Sequence, residues 1–136
     1  MAATTRQRVP AVERRDALID SAVHEFAQGG LHGTPVARIA RRVGVAQPYV
    51  FALFGSKREL FLAAVERCFD VVSQTLTAAA QEFDPEAAGP DMDVLKAMGH
   101  AYVELLERRR DYLMLQHQSY ACLLYTSDAA DDLTRV

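Results

Sequence analysis

Two prolines and a series of glycines divide residues 29–56 into helices that are too short to be stable alone. Thr34-Pro35 predicts a helix start, because threonine caps helix N-termini and proline fits the first helical position. Gly44 ends that helix, and a third helix then starts at Ala46-Gln47-Pro48 and stops at Gly55. A helix of about two turns is marginal in water. This segment therefore has to fold against other helices.

Longer amphipathic helices flank this segment on both sides. From Arg14 to Ala27 apolar residues recur with the spacing of one helix face, and Gly29-Gly30 is expected to end that helix. Ser56 and Glu59 match a capping box at the start of a fourth helix. Its apolar residues continue for about five turns, long enough to join two domains. The inward-facing residues expected in the four helices are Leu18, Ile19, Ala22, Val23 and Phe26, then Val36, Ile39, Ala40 and Val43, then Val50 and Phe54, and finally Leu60, Phe61, Ala64, Val65, Cys68, Phe69, Val72 and Leu76.

The rest of the chain continues the helical pattern without strand-like alternation. Residues 82–90, with two prolines, a glycine and three acids, are typical of a loop. Asp91 is expected to cap a further helix, and another apolar stretch begins at Tyr112. The predicted fold class is all-α. Its parts are a flexible basic arm (1–13), a three-helix helix-turn-helix head (14–64, motif about 35–54), a long connecting fourth helix, and an incomplete helical domain (65–121).

The charge of the chain is divided unevenly between its two halves. Residues 1–60 hold nine Lys or Arg against five Asp or Glu, whereas residues 61–136 hold six against thirteen. A basic head on an acidic body is typical of a polyanion-binding protein. The sequence has no apolar run long enough to span a membrane and no apolar core of a signal peptide, so we expect a cytoplasmic protein without a membrane partner.

A helix-turn-helix places its second helix in the major groove of double-stranded DNA, with base contacts near that helix's N-terminus. Gln47 lies there, and its amide can bond bidentately to adenine. Pro48 and Tyr49 can contact a thymine methyl group. Lys57, near the start of the next helix, is placed for a phosphate. The sequence thus predicts base reading by the start of the third helix.

Other residues around the motif complete the predicted DNA-binding set, and each has an ordinary alternative. Further phosphate contacts are expected from Arg38, Arg41, Arg42 and Arg58, and Thr34, Val36 and Phe51 are also candidates. Gln47 could instead be a solvated polar residue, Tyr49 a partly buried ring, and the arginines an ordinary charged surface. Taken together, the short capped helices, the glycine turn and the basic surroundings favour DNA binding.

A longer pattern of residues resembles a known family. It comprises the run from Phe26 to Thr34, Ile39-Ala40, Gly44-Val45-Ala46-Gln47, and the run from Phe51 to Leu60. These residues resemble the N-terminal domain of TetR-family repressors over about Val12 to Ala64. The chain is therefore identified as a TetR-family regulator with an all-α fold.

This resemblance implies a homodimer in which each subunit offers one helix-turn-helix to half of a palindromic operator. It also implies a larger C-terminal helical domain that dimerises and binds an unknown small-molecule effector. Two positions depart from the family pattern. Phe51 stands where a tyrosine usually contacts a phosphate, so that contact is lost, and Ala37 replaces an arginine found in some members.

The C-terminal part yields weaker expectations. Met98, Tyr102 and Leu105 could line part of an effector pocket, although such residues are more often plain core. The run from Cys122 to Asp131 resembles the translation of a sequencing adapter. We interpret residues 122–136 as a non-native tail, with a genuine helical tail as the alternative. The dimer-forming helices are then expected to be missing.

Three hypotheses of function are a repressor, a DNA-binding module and an enzyme. The first is a repressor that leaves its operator when an effector shifts the population of its conformations. The second is a truncated or non-regulatory DNA-binding module without effector response. An enzyme is not expected, because His24, His32, His100 and His117 are scattered and no catalytic, metal-binding or phosphate-binding motif is present, and no cofactor is predicted.

Overall fold

The computed structural model describes the backbone of residues 10–134 and the side chains of residues 10–122. All regular secondary structure in this part of the chain is helical, which confirms the all-α fold. Of the predicted arm at residues 1–13, residues 1–9 lie outside the described residues, whereas residues 11–13 are helical. The helices are α1 (Ala11–Gly33), α2 (Val36–Val43), α3 (Gln47–Phe54), α4 (Lys57–Glu82), α5 (Pro85–Ala88), α6 (Val94–Arg108) and α7 (Arg110–Thr134).

Helix α1 is kinked where the sequence predicted its end. Gly30 adopts φ 70° and ψ 179°, a conformation open to glycine, and a short helical segment continues to Gly33. The predicted capping role of Thr34 is wrong. Its hydroxyl donates to the carbonyl oxygen of Glu25 at 3.2 Å, and α2 begins after Pro35 without a side-chain cap.

The two short helices end as expected. Gly44 closes α2 with φ 84°, and its N–H donates to the carbonyl oxygen of Ala40 at 2.9 Å. Helix α3 carries Pro48 in its first turn and ends at Gly55. Both helices are held by tertiary packing, because Ile39 and Val50 are buried in the core.

Helix α4 begins at a side-chain cap and joins the head to the rest of the molecule. The N–H of Glu59 donates to the Ser56 hydroxyl at 3.1 Å, as predicted. Its first half is buried through Leu60, Phe61, Ala64 and Cys68, whereas later apolar positions such as Phe69 are exposed or half-buried. The phenyl rings of Phe26 and Phe61 meet edge to face, with centroids 5.1 Å apart.

The C-terminal helices begin differently from the sequence prediction. Helix α5 lies inside the predicted loop at 82–90. Asp93, rather than Asp91, caps α6, because its carboxylate accepts the N–H of Lys96 at 2.8 Å. Asp91 instead offers its carbonyl oxygen to the Lys96 ammonium group.

Helix α7 packs along α1, while α6 packs along α4. Tyr112 and Leu115 of α7 therefore join the same hydrophobic cluster as the three helices of the head. The backbone of α7 is helical to Thr134. Side chains beyond Cys122 lie outside the described residues.

Candidate nucleic-acid interface

One face of α3 is free while the opposite face anchors the helix. Gln47, Pro48 and Phe51 are exposed, whereas Val50 is 2% exposed and sits in the core. Phe54 is half-buried at the other end of the helix. The helix thus presents its N-terminal residues outward from a fixed position, which is the arrangement needed to read base edges.

Tyr49 is half-buried and packs against α1. The guanidinium carbon of Arg14 lies 5.6 Å from the centroid of the Tyr49 ring, within the range of a cation–π contact. Arg14 was not among the residues predicted from the sequence to bind DNA. Its position four residues before the fully buried Leu18 places both on the inward helix face, and this spacing is the signal that could have found it.

The predicted phosphate-binding cations differ in their surroundings. Arg38, Arg41 and Arg58 are exposed, and Lys57 is half-buried in the first turn of α4. Arg42 has an ion pair, with its guanidinium 3.5 Å from the Glu25 carboxylate. Part of the Arg42 charge is therefore offset within the protein.

Two predicted DNA-binding side chains lie in the interior. Thr34 is 1% exposed and hydrogen-bonded to Glu25, and Val36 is 5% exposed in the hydrophobic cluster. Neither side chain shares the exposed face of α3. Any contact from these positions to a ligand would have to come from the backbone.

Of the three residues suggested for an effector pocket, Leu105 belongs to the hydrophobic cluster. Met98 and Tyr102 are half-buried, and Leu105 is 5% exposed. The Tyr102 hydroxyl donates to the side-chain oxygen of Gln116 at 3.2 Å. A partly open, mainly apolar cavity of about 160 Å³ lies elsewhere, between α1, α4 and α7, with Leu31, Phe61, Val65 and Tyr120 among its lining residues.

The interface between the head and the C-terminal helices contains a small polar group of residues. Burial raises the pKa of the Cys68 thiol, which donates to the carbonyl oxygen of Tyr112. Burial also raises the pKa of Tyr112, and the hydrogen bond to Asp111 raises that of Arg109. Across residues 10–122 no group of histidine, cysteine or acidic side chains could hold a metal ion.

No helix in the described part of the chain is long and apolar enough to cross a membrane.

Comparisons with known proteins point to one family. Residues 18–64 match the model of bacterial regulatory proteins of the tetR family. The transcriptional regulator RutR of Escherichia coli K12 is 33% identical over 110 residues, which are 80% of this chain and 48% of RutR. The transcriptional activator FasR of Mycolicibacterium smegmatis is 40% identical over 63 residues, 46% of this chain and 29% of FasR.

Solved structures with a similar fold are also TetR-like regulators. A TetR-like regulator from Rhodococcus sp. RHA1 superposes with a TM-score of 0.68 at 23% identity, covering 93% of this chain and 70% of that one. These comparisons cover only parts of the proteins. The chain spans about half the length of RutR, and the matched family model covers the helix-turn-helix head. Residues 18–64 therefore form a helix-turn-helix domain of the tetR family of bacterial regulatory proteins, and the described chain has the fold of a TetR-like regulator.

Proposed function

We propose that this chain is a cytoplasmic repressor subunit that binds half of a palindromic operator through α3. The observation that carries the proposal is the exposed Gln47-Pro48 pair at the start of a helix whose Val50 is locked in the core. A second copy bound to the other half-site completes the homodimer. A small-molecule effector favours a conformation with weaker operator affinity.

The recognition chemistry follows from the exposed groups of α3. Gln47 offers both a donor and an acceptor to adenine, and Pro48 offers an apolar surface to a thymine methyl group. Phe51 is 37% exposed and contributes an apolar ring without a hydroxyl for a phosphate. Lys57, Arg38 and Arg58 then supply the phosphate contacts that fix the register.

Relatives with a similar head include both repressors and activators of transcription. The IcaR protein of Staphylococcus aureus, 29% identical over 62 residues, is a negative regulator, whereas FasR is an activator. We choose repression because operator occupancy alone blocks transcription, whereas activation requires a further contact with another protein.

The test begins with an operator selected by the full chain from a random duplex library. Gln47→Ala should lower the preference for the selected sequence by about 1–3 kcal/mol, measured by fluorescence anisotropy against a scrambled duplex. Gln28→Ala is the matched control, because Gln28 is an exposed glutamine on α1 that bonds to His24. An unchanged preference in Gln47→Ala would remove Gln47 from the proposed contact set.

A DNA-binding module without effector response is the second candidate, because the matched family model covers only the helix-turn-helix head, residues 18–64. It predicts strong salt dependence with little discrimination among sequences, or an operator affinity that no small molecule changes. Operator binding that a small molecule weakens supports the repressor.

A further inference from the structure

Among the described residues, Arg14 has no carboxylate partner for its charge, which lies beside the third helix. Its guanidinium lies over the Tyr49 ring, whereas the ion pairs found among the described residues use Arg42, Arg67 and Arg109. A cation–π contact uses the charge of a guanidinium and none of its N–H donors. Arg14 is therefore positioned by an aromatic contact and keeps its hydrogen-bond donors available.

The space next to Arg14 is an open cleft of about 510 Å³. The turn between α2 and α3 forms one wall, from Val43 to Ala46, and α1 forms the other through Arg14 and Ala17. Tyr49 also lines the cleft, and the exposed Gln47 follows directly after Ala46. The cleft thus lies at the end of α3 that is proposed to enter the major groove.

We infer that Arg14 binds a phosphodiester of duplex DNA in this cleft and that Tyr49 positions the guanidinium for that contact. The inference rests on the proposed function, since it assumes that α3 lies in the major groove. A helix end in the groove has the sugar-phosphate backbone beside it, and phosphate contacts of this kind set the register. Planar guanidinium groups match phosphate oxygens with two parallel N–H donors.

Arg15 provides a matched control on the same helix. Its guanidinium carbon lies 5.2 Å from the Phe54 ring, so it also packs against an aromatic residue of α3. The cavity that Arg15 lines, however, includes the acidic Glu66 and Asp70 of α4. Those carboxylates disfavour a phosphate, and Arg15 is therefore not expected to bind one.

The experiment compares Arg14→Ala with Arg15→Ala in the full chain. The probe is a fluorescein-labelled duplex of mixed sequence, titrated between about 50 and 200 mM salt. In Arg14→Ala the slope of log affinity against log salt should decrease by about 0.9, the value for one phosphate contact. Affinity should fall several-fold for every sequence, while Arg15→Ala retains the slope of the unmodified protein. Thermal melts establish that both variants are folded.

The positioning role of Tyr49 has its own readout. Arg14→Lys should retain the slope of log affinity against log salt, because the charge remains. It should bind DNA more weakly, because lysine lacks the planar guanidinium with its two parallel N–H donors. A double-mutant cycle with Arg14→Ala and Tyr49→Leu should show a smaller combined loss of affinity than the product of the two single losses. Independent, multiplicative losses would overturn the positioning of Arg14 by Tyr49.

The outcomes separate this inference from the proposed function. If the unmodified protein shows no salt-dependent DNA binding, both are overturned. If it binds and Gln47→Ala loses sequence preference while Arg14→Ala keeps the full slope, only the Arg14 contact is overturned. An equal loss of slope in Arg15→Ala overturns it as well, because the effect then reflects net charge and not the cleft.

Discussion

The guanidinium of Arg109 lies 3.4 Å from the Asp20 carboxylate and so joins the corner between α6 and α7 to α1 of the head. The same guanidinium pairs with Asp111 at 3.1 Å and packs 4.1 Å above the Tyr112 ring. Asp111 raises the pKa of Arg109, which keeps the side chain cationic. The helix-turn-helix head is thus linked to the C-terminal helices by polar contacts as well as by the shared core.

Removal of this link should cost a small, salt-dependent amount of stability. Asp20→Asn should lower the free energy of unfolding by about 0.2–1 kcal/mol, since the pair is largely exposed. Arg109→Ala should cost about 1–2 kcal/mol because the Tyr112 and Asp111 contacts are lost too. Urea denaturation at low and high salt measures both, with Asp70→Asn as an exposed control. A cost for Asp20→Asn that high salt leaves unchanged would contradict an electrostatic origin.

The kink at Gly30 should tolerate no side chain. A Cβ there would lie 2.8 Å from the Gln118 side-chain oxygen, and φ is 70°. Gly30→Ala should therefore cost about 1–3 kcal/mol in thermal or urea unfolding. Gly33→Ala is the matched control, because nothing lies within 4 Å of its Cβ position. Adding Gln118→Ala to Gly30→Ala removes the close contact, so the remaining loss of stability measures the backbone strain at residue 30. Full recovery of stability in the double variant would show that the positive φ does not contribute to the cost.

The helix-turn-helix was predictable because its signals are local. Pro48 in a first turn and the glycines at positions 44 and 55 act within a few residues, and the structure places helix boundaries beside them. The buried face of α4 was predictable only as far as Cys68. Beyond it Phe69 is exposed, because apolar periodicity does not say whether another element covers the face.

The sequence predictions were wrong at helix caps that depend on tertiary structure. Thr34 has the chemistry of a cap, but the kink in α1 brings the Glu25 carbonyl to its hydroxyl first. Asp91 and Asp93 are equally good caps by composition, and the chain path selects the second. The spacing of Arg14 from Leu18 indicates the helix face on which Arg14 lies, but its contact with Tyr49 joins residues far apart in sequence and depends on the tertiary structure.

The shared core predicts that the head and the C-terminal helices unfold together. Phe26 is fully buried against Phe61, and Phe26→Ala should cost about 3–5 kcal/mol. Hydrogen exchange should then show protection falling by the same amount in α1 and around Leu115 of α7, which belongs to the same cluster. Phe69→Ala, at 40% exposure, should cost less than about 1 kcal/mol. Unchanged protection in α7 would mean that the two parts unfold separately.

The buried thiol of Cys68 should make the protein less stable in alkali. Burial raises the pKa of Cys68 in the folded state, so folding favours the protonated thiol. The unfolded chain loses this proton at a lower pH, near the ordinary value of about 8.5. The stabilisation is therefore complete below that value and declines as pH rises through the folded-state pKa, by less than about 1.4 kcal/mol per pH unit.

Urea denaturation between about pH 7.5 and 10 tests this dependence around the thiol's ordinary pKa. Cys68→Ala should flatten the decline in stability with pH, whatever its effect on absolute stability through the lost packing. Tyr112→Phe should flatten the decline only at the upper end of this pH range, because burial raises the pKa of Tyr112 from a higher starting value.

The reactivity of the Cys68 thiol gives a second test. In a Cys122→Ser background, the Cys68 thiol should react with a disulfide reagent only as fast as the protein opens, since Cys68 is fully buried. Rapid labelling of the native protein, or an unaltered pH profile in Cys68→Ala, would show that this thiol is not held protonated by the interface between the head and the C-terminal helices.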